Sequence, residues 1–241
     1  FGRLEDDPYY TFPWMLQQDD RMRTIFGADH CRPILFFRAG GNDVEDRPHY
    51  DLHGRDIGRL LQLCRDYDVE IGLHASHEAG RRPELIAREK AALENAIDRP
   101  VTLNRHHFLG LREPQHMEVL EDAGITDDYT MGYADQVGFR LGTARPVRCI
   151  YPATRHLSRR LTLHPLTVME CTLSAERYMH LDEREAFRII IELAEETRRA
   201  HGSLTLLWHN TSATSRAGYL KNLYSRTLVL LADSAYESLR R

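Results

Sequence analysis

The histidines that end apolar runs are the residues here whose types and spacing point to chemistry. His74 closes the run VEIGLH, and His77 follows as H-A-S-H. Zinc takes neutral imidazole, and two rings must face one ion. In a continuing strand, positions i and i+3 point to opposite faces. Shared ligation therefore needs the strand to stop near His74 and the chain to turn. A hydrogen-bonded strand-end imidazole plus a solvent-facing loop imidazole would give the same pattern. His209 closes the run LTLLWH. It suits a general acid, because imidazole titrates near neutrality. It also suits a core histidine capped by Asn210. Arg105 lies inside the run VTLNRHHF, beside His106 and His107. A buried Arg can orient a carboxylate through paired hydrogen bonds. Arg112 is a second choice for that role, and it also reads as a surface residue. Trp14, Tyr9 and Tyr10 fit either stacking on sugar or packing at a helix start.

These side chains need elements to hold them on one rim. Strands are expected at Ile34–Phe37, Val69–His74, Val101–Phe108 and Leu204–His209. Weaker strands are expected at Asp128–Ala134 and Val147–Tyr151, and another near Thr167–Cys171. Helices are expected over Asp56–Tyr67, from Pro83 to Ile97, from Pro114 to Gly124, over Glu183–Ala200, and over about 216–239. Ile57, Leu60, Leu61 and Cys64 carry the helical period of the first. Repeated strand–helix alternation implies a parallel sheet or barrel. Sites in such folds sit at the carboxyl ends of strands. His74, Arg105, His107, Trp208, His209, Tyr133 and Asp135 all fall at those ends.

Composition narrows the function classes. The chain has 241 residues, 42% hydrophobic, with a net charge of −4. A chain this long can bury a sizeable core, and no linker or repeat divides it, so one domain over 1–241 is expected. The mild acidity gives no support to nucleic-acid binding. No apolar run approaches the roughly 18 residues of a membrane span. Cys31, Cys64, Cys149 and Cys171 form no C-x-x-C pair. They read as small buried hydrophobes in a reducing compartment, so a cytoplasmic location is expected. Only Lys90 and Lys221 among the 32 basic residues are lysines, which reads as codon bias. The chain opens at Phe1 without an apolar leader, and reads as processed or as a fragment.

Taken in order, the strand-end motifs resemble the polysaccharide deacetylase (NodB-homology) family, in its divergent branch from surface-polysaccharide gene clusters. The matching stretches are DPYYTF at 7–12, ILFFRAGG at 34–41, YDL at 50–52 and EIGLHAS at 70–76. They continue with RHHFL at 105–109, the long stretch at 120–146, and LTLLWHN at 204–210. The resemblance implies an α/β fold, a distorted (β/α) barrel of about seven strands, here missing its first. It implies a metal-dependent hydrolase removing acetyl from an N-acetylated sugar or glycan, with zinc as the divalent metal. His74 matches the first metal-binding His and His209 the general acid. Arg105 matches the Arg that orients the base, with Arg112 second. Trp208, Tyr133, Asp135 and His107 are the expected sugar contacts.

Three departures qualify that implication. The family spaces its metal-binding imidazoles one residue wider than His74 and His77. Either His77 serves after a small loop shift, or Glu78 ligates, or the second ligand is missing. The family's Asp pair has no clear match. Asp6-Asp7 is the one candidate, and the true pair is expected upstream of Phe1. No Asp-Trp motif occurs mid-chain, where Asp135 is the nearest acid. The alternative function is an inactive deacetylase-like barrel that binds glycan or scaffolds a biosynthetic complex.

Overall fold

The structure, a computed structural model, describes residues 3–27, 29–112, 115–151 and 154–238. Its strands are β1 (Ile34–Phe37), β2 (Glu70–Leu73), β3 (Leu103–Asn104), β4 (Asp127–Met131), β5 (Val147–Tyr151), β6 (His156–Pro165), β7 (Val168–Met169) and β8 (Leu206–Leu207). Six form one sheet in the order β1-β2-β3-β4-β6-β5. Within it only β5 runs antiparallel, against β6. A separate parallel pair joins β7 to β8. The expected α/β class with a mostly parallel sheet is therefore present. Strand pairing among the described residues does not close a ring, because β1 and β8 each keep an unpaired edge.

The helices are α1 (Phe12–Phe26), α2 (Arg55–Asp66), α3 (Leu85–Ile97), α4 (Gln115–Asp122), α5 (Glu170–Ser174), α6 (Glu183–Arg199) and α7 (Leu220–Ser238). The spacing read in α2 buries Leu60, Leu61 and Cys64 against the sheet, with Ile57 packed beside them. α6 starts where Asp182 and Glu185 form a reciprocal capping box. That device satisfies two N–H groups that a helix start leaves bare. The acidic run at 182–185 thus sets a helix boundary as well as facing solvent. α1 follows no strong apolar period, and of the two readings of Trp14 it supplies the helix start. Trp14 packs there at 5.9 Å from Tyr224 of α7.

Three strand expectations need correction. The run 101–108 forms only two ladder residues, because the chain turns at His107–Leu109. Extended pairing persists a little further, through Arg105 N–H to Leu73 O and His107 N–H to Ala75 O. The strand expected near Thr167–Cys171 is present but short, as the two-residue β7, and a longer strand, β6, precedes it and ends at Pro165. Proline has no N–H to continue a ladder, and the chain enters α5 at Glu170. The last strand pairs at Leu206–Leu207 rather than through His209. Among the described residues the cysteines form no disulfide, and Cys64 and Cys149 are buried.

Two main apolar clusters hold the fold, beside a small third one of Leu109, Leu166 and Leu207. The larger lies between the six-stranded sheet and its helices, and the smaller joins β7 to α5, α6 and α7. Leu93 on α3 is fully buried in the larger cluster. Leu93→Ala is expected to cost about 2–5 kcal/mol of stability through lost transfer energy and a residual cavity. Asp182→Ala should cost only about 1 kcal/mol, by loss of the cap. Urea unfolding of both variants checks the order.

Candidate functional site

The parallel strands end on one side, and the turns there carry the polar residues. β2 runs directly into His74, whose N–H donates to Phe37 O of β1. The following residues are pinned from three sides. Glu89 of α3, itself buried, accepts from Ser76 N–H at 2.9 Å and from Ser76 Oγ at 2.5 Å. Asp46, fully buried, accepts from the N–H groups of His77 and Glu78 at 2.8 and 3.1 Å. Asp43 lies 2.8 Å from His77 Nδ1. The turn needed after His74 thus exists, but it is held by acidic neighbours.

His74 and His77 are not brought together on one ion site. His77 forms a group with Asp43 and Glu45 whose ligand atoms lie within 4.8 Å of one another. Its ring stands edge-on to Phe108 at 5.5 Å. Glu78 points elsewhere too. Its oxygens accept from Asn42 and from Arg82. The ring beside His74 is that of His107, with centroids 5.0 Å apart. His74 Nδ1 sits 2.7 Å from Arg105 O. His107 Nδ1 sits 3.1 Å from Asp46 Oδ1. Each anchored Nδ1 leaves Nε2 without a protein partner among the described residues. A backbone carbonyl or carboxylate behind an imidazole is how proteins orient metal-binding histidines. Burial, with His107 second, pushes His74 down to about 3, and burial also lowers His107. Both rings are therefore neutral, as ligands must be. On donor chemistry and orientation, these two residues fit a zinc-like ion.

His209 completes the cluster from the end of β8. It acts electrostatically on His74. Its Nδ1 lies 2.6 Å from Glu170 Oε1, which also accepts from His209 N–H at 3.0 Å and from Ser212 Oγ at 2.7 Å. Glu170 is fully buried, whereas the His209 side chain is 48% exposed. Burial would lower His209, but the bond and charge of Glu170 outweigh it and raise its pKa. Burial would raise Glu170, but the donors around it lower its pKa. Glu170, Cys171 and His209 form a second group with metal-ligand spacing. Neither such group contains His74.

Arg105 is buried, and its guanidinium lies 4.5 Å over the Phe36 ring. Its Nε donates to Tyr129 O at 3.2 Å. Burial lowers its pKa to about 10, so it stays charged, and the carboxylates acting on it are Asp128 and Glu170. Among the described residues it forms no ion pair, so it clamps no base carboxylate. Arg112 is exposed and donates its N–H to His116 Nδ1. It makes no contact with the three histidines among the described residues, so the geometry does not favour the orienting role for it.

The expected sugar contacts divide. Asp135 is exposed and Tyr133 half-buried in the loop after β4, on the same side as the histidines. Trp208 packs 5.2 Å from Tyr224 with its indole N–H buried and unpartnered, which is a core position rather than an open stacking face. His107 belongs beside His74. Asp6 and Asp7 are exposed and engaged by Arg3 and by Tyr9 N–H. They lie apart from the imidazoles in every hydrogen bond they make.

Three residues of the site were not anticipated. Asp46 and Glu170 are acids directly after or near strand ends, and that position was their only signal. Phe108 is 57% exposed with a left-handed φ of 55°, and its ring lies 4.6 Å from His107. A non-glycine residue in that region is strained, and such strain concentrates at functional sites. Beside the site, a cavity of about 310 Å³ is lined by Arg38, His49, Tyr50, His53 and Asn95. Arg38 lies close enough to His107 to lower its pKa. The sequence matches no protein-family model and no curated protein.

The His209–Glu170 pair has a defined pH window. A raised His pKa stabilises the fold fully below its unfolded value, about 6.5, and the benefit is lost as pH rises through the folded value. A lowered Glu pKa stabilises above its unfolded value, about 4.3, and the benefit is lost as pH falls through the folded value. The bond is thus strongest from weakly acidic to neutral pH. Glu170→Gln is expected to lower the His209 pKa, read by NMR titration of its ring proton. An unmoved titration would mean that Glu170 does not control this imidazole.

Proposed function

We propose that this chain is a metal-dependent hydrolase that removes acetyl groups from an N-acetylated sugar or polysaccharide. The supporting observation is the trio His74, His107 and His209. Each stands at the carboxyl end of a strand, with Nδ1 tied to a carbonyl or a buried carboxylate. The acetyl and sugar specificity rests on the motif resemblance. The fold that goes with this activity is a distorted barrel, left open between β1 and β8.

In this reading His74 and His107, rather than His74 and His77, hold a zinc-like ion. When bound, such an ion supplies charge for the developing oxyanion and acidifies water. His209 donates a proton from Nε2 to the amine nitrogen as the carbon–nitrogen bond breaks; the water's hydroxyl stays on the acyl carbon, and the proton it sheds passes through solvent to recharge the ring. Glu170 steadies the charged ring before that transfer. Arg105 adds a fixed positive charge beneath the rim. Phe108 offers an exposed ring to a sugar face, and the cavity at Arg38 and Tyr50 receives a neighbouring residue of the glycan.

Two experiments test this. Bound zinc is expected to be stoichiometric in wild type, lost in His74→Ala and His107→Ala, and kept in His77→Ala, by elemental analysis. His209→Gln should keep the metal yet lower kcat for acetate release by roughly 10²–10⁴-fold. Full activity in that variant would remove His209 from the reaction. Phe108→Ala should raise KM about tenfold with kcat nearly unchanged, as expected for uniform binding.

One observation favours the second reading, a non-catalytic glycan-binding domain. Neither group with metal-ligand spacing includes His74. Saturable sugar binding without acetate release, even with added zinc, would select it.

A further inference from the structure

The charge of this chain is distributed unevenly. Residues 136–169 contain Arg140, Arg145, Arg148, Arg155, Arg159 and Arg160, and no Asp or Glu. That segment carries +6 in a chain whose net charge is −4, so the remainder carries −10. Its centre is the antiparallel hairpin β5–β6, and β5 is an edge of the sheet.

Four of these charges lie on the hairpin and face solvent. Arg148, Arg155, Arg159 and Arg160 are all exposed. The Arg148 guanidinium donates to the Ser158 and Arg159 carbonyls and so clasps the two strands. The side chains of Arg155, Arg159 and Arg160 form no ion pair among the described residues. The nearby acid is Glu121 of α4, which is occupied by Tyr151 Oη and by the N–H groups of Arg160 and Leu161. Among the arginines sit two aliphatic side chains, Ile150 and Leu157. They are direct cross-strand partners and are 59% and 63% exposed. Cys149 and Ser158, the neighbours on the other face, are buried.

We infer that this hairpin docks the protein on an anionic phospholipid bilayer. Arginines attract acidic headgroups, at about 1 kcal/mol each near the surface. Paired aliphatic side chains between them can enter the boundary between headgroups and acyl chains. A second copy of the chain is disfavoured, because it would set one +6 segment against another. A polynucleotide would use the arginines, but would leave the aliphatic pair idle and find no exposed Phe, Tyr or Trp on the hairpin for its bases. The docking is peripheral, since no described helix is long and apolar enough to cross a membrane. It leaves the histidine rim free. β6 starts at His156 in the hairpin and runs about ten residues, roughly 30 Å, towards the rim.

The test is co-sedimentation of the whole chain with vesicles of phosphatidylcholine, with or without phosphatidylglycerol. Binding is expected only with phosphatidylglycerol, and should fall as salt rises. Arg155→Glu, Arg159→Glu and Arg160→Glu together should weaken it by roughly a hundredfold or more. Ile150→Ser with Leu157→Ser should weaken it by about tenfold or more, while leaving capture by single-stranded polynucleotide unchanged. Unaltered thermal unfolding confirms that the variants fold, and the wild-type salt dependence is independent of them. No binding to phosphatidylglycerol vesicles at low salt would overturn the inference. So would binding that ignores both sets of substitutions. Vesicle binding that survives loss of the aliphatic pair, alongside tight polynucleotide capture, would make the hairpin a polyanion site instead.

Discussion

One buried carboxylate couples three strand ends. Asp46 follows β1, accepts two N–H groups from the turn after β2, and orients His107 after β3. It is fully buried, and these donors balance its charge. Buried charges are tolerated only when hydrogen-bonded in this way, and a donor left unpaired there costs about 1–3 kcal/mol. The arrangement also fixes backbone choices. Gly41 has a φ of 89°, and a Cβ there would lie 2.3 Å from Asp46 Oδ2. The glycine pair after β1 is thus the space that lets the carboxylate reach under the His74 turn.

Glu170 repeats the device on the opposite side. It stands at the end of β7 and binds the backbone, ring and following serine of the turn after β8. Arg105 lies between the two halves and feels Glu170 and Asp128. The six-stranded sheet and the β7–β8 pair are therefore linked at the rim through charge as well as through packing. The N-terminal segment adds a brace. Thr11 Oγ1 donates to Asn210 O, and Asn210 Nδ2 donates to Tyr9 O.

Legibility in the sequence followed the physics. α2 and α6 are readable because an apolar stripe at helical spacing is a local signal; the capping box that starts α6 is found only in the structure. The α/β class was readable from alternation. The lengths of β3 and β8 were not, since a two-residue ladder continues into extended chain of the same composition. His74, Arg105 and His209 were found because strand ends are sites in parallel sheets. The partner of His74 was missed because proximity in sequence favoured His77. Tertiary contact favours His107, thirty-three positions along, since β2 and β3 are neighbours in the sheet. Asp46 and Glu170 carried no motif. Their importance lies in burial, which appears only when the strands are assembled.

The remaining step concerns why chemically identical rings take different roles. His74, His106 and His107 are lowered by burial, and His106 is sealed in the core against His116. Among His74, His107 and His209 only His209 is raised, because the bond and charge of Glu170 outweigh its burial. Asp46 does not do the same for His107. There burial, with the Arg38 charge beside it, outweighs the bond and charge of Asp46. Groups whose environments push their pKa values apart are the ones that divide acid–base work. Here the same side chain, placed at three strand ends, is held neutral at His74 and His107 and has its charged form favoured at His209. The partition is set by how far burial outweighs the group behind each Nδ1.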